Sequence, residues 1–155
     1  MANLTGLRRA RDVACALLAI AAAGPAWAVD YKSVGSEPAI LYDAPTLRGN
    51  RVAIAPRGMP LEIVFAQNDW IKVRDATGAL SWIEKKSLAD RRMVVATDPA
   101  PVDIHAGADD SAPVVFRVQP GVLLELAGAP ASGWVAVRHR DGQSGFVRVA
   151  SVWGE

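Results

Sequence analysis

The stretch from Trp70 to Leu88, WIKVRDATGALSWIEKKSL, recurs 64 positions later as WVAVRHRDGQSGFVRVASV, Trp134 to Val152, with no gap needed to superimpose the two. Trp70 falls on Trp134, Val73 on Val137, Arg74 on Arg138, Gly78 on Gly142, Trp82 on Phe146 and Ser87 on Ser151. A hairpin-like unit written near the end of each half implies two copies of one small domain.

The amino terminus is set apart from this plan. Arg8, Arg9 and Arg11 precede an almost wholly apolar run, Val13 to Ala23, and Ala26-Trp27-Ala28 places small residues where a signal peptidase reads them. Residues 1–28 are therefore expected to be a cleaved signal peptide. An apolar core of roughly a dozen residues falls short of the about 20 that a helix needs to span a membrane, so no stable span is expected after cleavage. The lone cysteine, Cys15, lies inside this segment, which leaves the remaining 127 residues without thiol chemistry or disulfides. Removing three arginines and one aspartate from 17 basic and 16 acidic residues leaves 14 and 15, a net charge of about −1. That balance offers no electrostatic footprint for nucleic acid.

Short apolar runs broken by turn residues fill the rest. Residues 29–37 read as a polar leader without periodicity. Ala39 to Tyr42 reads as a first strand stopped by Asp43-Ala44-Pro45, and Val52 to Ala55 as a second, broken at Pro56-Arg57-Gly58. Leu61 to Ala66 returns antiparallel as Trp70 to Arg74, followed by Leu80 to Glu84 and a closing 3₁₀ turn at Lys85 to Leu88. No stretch keeps helical periodicity over three turns. Period two puts Ile71 and Val73 on one face of their strand and Trp70, Lys72 and Arg74 on the other, and the aliphatic face is expected inside. The second copy repeats this plan, with Asp141-Gly142 as a hairpin signal of type I′. Between the copies, residues 90–100 form a linker in which Met93 to Ala96 is too apolar for a solvated tether and is expected as a strand or extended segment lodged between the copies. Domains of about 55 residues are marginally stable alone, so the two are expected to pack on one another.

The spacing resembles the bacterial SH3-like domains of exported proteins. Gly58-x-x-Leu61-Glu62 and Gly121-x-x-Leu124-Glu125, then Trp-x-x-Val-Arg, then Gly-x-x-x-aromatic-Val/Ile and a closing Ser-Leu/Val carry the likeness over residues 38–89 and 101–153. The resemblance implies an all-β chain of two tandem SH3-like barrels, of five short strands each, at 38–89 and 101–155. It also implies a non-catalytic, periplasmic or secreted binding module whose partner is peptidoglycan, its peptides, or another envelope protein. Val152 and Leu88 stand where the proline-peptide groove of such domains has a tyrosine, so recognition of polyproline ligands is not expected.

The residues themselves point to no catalysis. His105 and His139 lack a second ligand at metal spacing, and no metal or cofactor is expected. Asp109-Asp110 reads as a solvated turn, and no nucleophile elbow, phosphate loop or metalloprotease motif occurs. The candidate binding residues are Trp70, Arg74 and Trp82, echoed by Trp134, Arg138 and Phe146. Alternation puts them on the outer face of neighbouring strands, where a guanidinium could stack on an indole. Rings there either meet a ligand or cover the other copy and the barrel's open end.

Overall fold

The computed structural model describes residues 29–155, so the expected signal peptide, with Cys15, lies outside the described residues. Fourteen strands form two seven-stranded antiparallel sheets with the same order of elements. The first holds β1 (Tyr31–Val34), β2 (Ala39–Tyr42), β3 (Arg51–Ala55), β4 (Pro60–Gln67), β5 (Trp70–Arg74), β6 (Leu80–Glu84) and β7 (Leu88–Ala89). The second holds β8 (Met93–Ala96), β9 (Val102–His105), β10 (Val114–Val118), β11 (Leu123–Leu126), β12 (Trp134–Arg138), β13 (Ser144–Arg148) and β14 (Val152–Trp153). A 3₁₀ turn precedes the last strand of each, at Lys85–Ser87 and Val149–Ser151.

Seven strands replace the expected five because each copy adds one from the segment before it, β1 from the leader and β8 from the linker, and a two-residue strand after its closing 3₁₀ turn, β7 and β14. The leader is not irregular: β1 pairs with β4 through Tyr31↔Glu62 and with β7 through Val34↔Leu88. The linker strand β8 does the same in the second sheet, pairing with β11 and β14. The strand expected at Met93–Ala96 is thus present as a member of the second sheet, and its Met93 lies against Gly58 of the first domain. Pairing partners, rather than local alternation, make strands of these four-residue segments.

Each sheet curls around its own core. Val34, Leu41, Leu61, Ile71, Val73 and Ile83 meet in the first, and Val94, Ile104, Leu124, Val135, Val137 and Val147 in the second. The expected inward face of β5 is therefore the buried one, and the equivalent residues of β12 follow it. Two loops correct the hairpin reading. At Asp141-Gly142 positive φ occurs at Gly142 alone, and the His139 carbonyl accepts from the Gly142 N–H at 3.0 Å while the His139 N–H donates to Gln143. This is a three-residue loop closed by a left-handed glycine, not type I′. Asp75 to Ala79 forms the same loop around Gly78.

The two domains pack through β1 and the strand β14. The Tyr31 and Trp153 rings meet edge to face at 5.0 Å, and the Arg92 guanidinium lies 5.7 Å from the Tyr31 ring while donating to the Gly154 carbonyl at 3.1 Å. Met93 and Leu123 lie against Gly58, and Pro60 against Gly154. This contact supplies burial that each small barrel lacks alone.

Candidate functional site

The hairpin of β5 and β6 sets Trp70 opposite Glu84, Lys72 opposite Trp82 and Arg74 opposite Leu80, all on the outer face. β4 adds Glu62 beside Arg74 and Phe65 beside Lys72, and β2 adds Tyr42 beside Trp82. Four rings therefore form a continuous row. Tyr42 and Trp70 meet edge to face at 5.4 Å, Phe65 and Trp82 at 6.3 Å, and the Lys72 ammonium lies 6.0 Å from the Trp82 ring centre. Phe65 is 55% exposed. A cleft of about 380 Å³ is lined by Asp69, Glu84, Lys85 and Lys86. There Lys86 donates to Glu84 at 2.8 Å, which raises the lysine's pKa.

Arg74 does not stack on an indole. Its Nη1 donates to both Glu62 oxygens at 2.9 Å, because β4 brings that carboxylate directly opposite and a charge-assisted hydrogen bond outweighs a stacking contact. The cation at the indole is Lys72. Among the described residues, Lys72 has no carboxylate at ion-pair distance.

The second domain closes the same face. Trp134 is 5% exposed, with His105 edge-on at 5.3 Å and the Arg148 guanidinium 4.5 Å from its ring centre. Asp110 anchors Arg148, its Oδ1 accepting from Nε at 3.0 Å. Asp110 is thus a solvated turn residue, as expected, that also pairs with Arg148. Phe146 is half-buried and pairs with His105 and Ala136, so the position of Lys72 holds no cation. Arg138 is exposed, and its register partner Glu125 bonds instead to Arg91 at 2.7 Å, which lowers the glutamate's pKa.

Of the six residues expected from sequence, the fold gathers Trp70 and Trp82, both half-buried, into one row, turns Arg74 to Glu62, and leaves Trp134 under Arg148, Phe146 half-buried and Arg138 exposed. Tyr42, Phe65 and Lys72 join the row unforeseen. The alternation that places Lys72 between Trp70 and Arg74 on one face was a usable signal. His139 meets an anion of its own loop: its Nδ1 sits 2.9 Å from Asp141, and the backbone N–H of Gln143, then His139, hold that carboxylate's pKa down. Among the described residues no cluster of three metal-ligating side chains occurs, and no helix is long and apolar enough to cross a membrane.

The class this architecture defines is the small SH3-like barrel, present twice in tandem. Residues 35–90 and 98–154 each match the bacterial SH3 domain, and the chain belongs to that family. No curated protein matches it. Similar solved structures are NlpC2 and NlpC1 from Trichomonas vaginalis, at 14% and 13% identity and a TM-score of 0.38 each, and an NlpC/P60 family protein from Bacillus cereus, at 17% and 0.35. They cover 82%, 86% and 80% of this chain, which spans 48%, 49% and 56% of theirs, about half their length.

Proposed function

We propose that the protein is a non-catalytic binding module of the cell envelope, exported to the periplasm or beyond, whose first domain recognises peptidoglycan or its peptides. The observation that carries this reading is the row of the exposed Phe65 and the half-buried Trp82 and Trp70, with the buried Tyr42 behind Trp70 and Lys72 over Trp82. Aromatic faces stack on sugar rings and apolar side chains, and a free ammonium beside them suits the carboxylates of wall peptides. Membership of the bacterial SH3 family supports the same partner. The second domain serves as the docking half, since Arg148 and Asp110 occupy the surface a ligand would need.

Purified sacculi test the proposal. The parent protein is expected to co-sediment with them, Trp82→Ala and Lys72→Ala to lose most of that binding, and Phe146→Ala to retain it. Equal binding by Trp82→Ala and the parent would remove the ring row from the reading. A parent that ignores sacculi yet co-purifies with one envelope protein would replace peptidoglycan with a protein partner.

A further inference from the structure

Trp70 and Trp134 occupy the same place in their domains, and each meets one ring edge to face, Tyr42 at 5.4 Å and His105 at 5.3 Å. The register partner of Trp134 is Arg148, whose guanidinium lies 4.5 Å from the ring centre, so the second domain supplies a cation to its own indole. The register partner of Trp70 is Glu84, and the described residues place no cation over the Trp70 ring. Glu84 lines the cleft of about 380 Å³ together with Asp69, Lys85 and Lys86. In the second domain Gly133, Arg148, Val149 and Ala150 stand at these four positions. Both corners keep the same main-chain bond, from the Lys85 N–H to the Asp69 carbonyl at 2.8 Å and from the Val149 N–H to the Gly133 carbonyl at 2.9 Å. The duplicate is an internal control: the corner folds without two acids and two lysines, so folding does not require them.

We infer that this cleft is a site for an amino-acid zwitterion, whose ammonium takes on Trp70 the place that the Arg148 guanidinium holds on Trp134, and whose carboxylate turns to Lys85. An indole face attracts a cation whether the chain or a ligand brings it. Glu84 and Asp69 supply the negative charge that holds the ammonium there. Lys86 takes one Glu84 oxygen and leaves the other, while Asp69 and Lys85 have, among the described residues, no ion-pair partner. An unpaired acid and an unpaired base in a cleft without net charge suit a group that carries both signs; a bare cation would meet the two lysines and a bare anion the two acids. The inference rests on the first domain being the binding half, and it narrows the wall peptide to one that carries an unlinked amino-acid group.

An NMR titration of the purified protein at constant ionic strength, with alanine, alaninamide and N-acetylalanine as probes, tests this. Alanine is expected to shift the Trp70 indole N–H and the amides of Asp69 and residues 84–86 with a dissociation constant on the order of 10 mM. Alaninamide, which keeps only the cation, is expected to bind more weakly, and N-acetylalanine, which keeps only the anion, not to bind. Glu84→Arg installs the cation of the second domain and is expected to abolish the alanine shifts with a melting temperature close to the parent's. Glu84→Gln keeps the test open if that variant fails to fold, and is expected to weaken alanine at least about fivefold. Shifts mapping elsewhere, N-acetylalanine or alaninamide binding as well as alanine, or alanine binding unchanged in both variants would overturn the inference. The titration contains no wall material: sacculus binding without alanine shifts would retire the cleft and keep the wall, and alanine shifts without sacculus binding would do the reverse. Sacculi with acetylated amines are expected to bind several-fold more weakly than untreated ones, and equal binding would make a free amino acid the ligand of the cleft.

Discussion

Arg148 stands over Trp134, 4.5 Å from its ring centre, and Asp110 from a different loop holds it there. In the first domain the position opposite the matching Trp70 is Glu84, which turns to Lys86 instead. A single charge reversal between the copies thus separates a covered indole from an accessible one. Arg148→Ala is expected to raise the fraction of tryptophan emission quenched by iodide. It costs less than about 1 kcal/mol, since the guanidinium is itself half exposed. An unchanged quenching fraction would contradict the cover.

The inner and outer faces of β5 and β6 make opposite predictions. Val73 is fully buried among the first core, so Val73→Ala removes two buried carbons and leaves a void, costing about 2 kcal/mol in a denaturant melt. Trp82 lies on the outer face, and Trp82→Ala is expected to lose ligand binding while stability falls by about 1 kcal/mol at most. If the larger stability loss came from Trp82, the assignment of faces would be reversed.

Gly154 lies against Pro60 of the first domain. Its φ is +111°, and an added Cβ would sit 2.7 Å from Pro60 Cβ and 2.8 Å from the Met93 carbonyl oxygen. Gly154→Ala is expected to cost about 2 kcal/mol or more and to speed amide exchange along β1 and β14, where the domains touch. Gly107→Ala, with an ordinary 3.6 Å contact to Ala112 and no left-handed backbone, is expected to be near neutral. Similar melting curves for the two variants would refute the tight approach.

Burial at the same contact, then the Glu155 and Glu62 carboxylates, raises the Tyr31 pKa above 10.0. The unfolded chain therefore releases this proton first. The phenol's contribution is fully present below pH 10 and is lost as pH climbs through the raised folded value. Denaturant midpoints measured from pH 8 to 11 are expected to fall more steeply for the parent than for Tyr31→Phe. Parallel curves would show that the phenol feels neither burial nor carboxylates.

The bulges explain which parts of the site were legible in the chain. By parity Phe65 belongs with Leu61 and Ile63 on the core side, but the register slips between Ile63 and Phe65 and delivers the ring to Lys72 on the outer face. Tyr42 ends its strand beside a second irregularity, after Leu41, and is buried by Trp70 rather than by the core. Nothing in the local sequence marks either slip. The contest over Arg74 was equally hidden, since Glu62 stands twelve residues away and only strand pairing brings it opposite.

The sequence by itself determined the duplication, the all-β class and the inward face of β5 and β12, because these follow from a repeat and from a period of two that any sheet must obey. Tertiary structure alone decided that Tyr31–Val34 is a strand, which cation meets which ring, and that one indole is open while its twin is covered. Those outcomes depend on partners far along the chain, whose approach is set by sheet register and by packing between the domains.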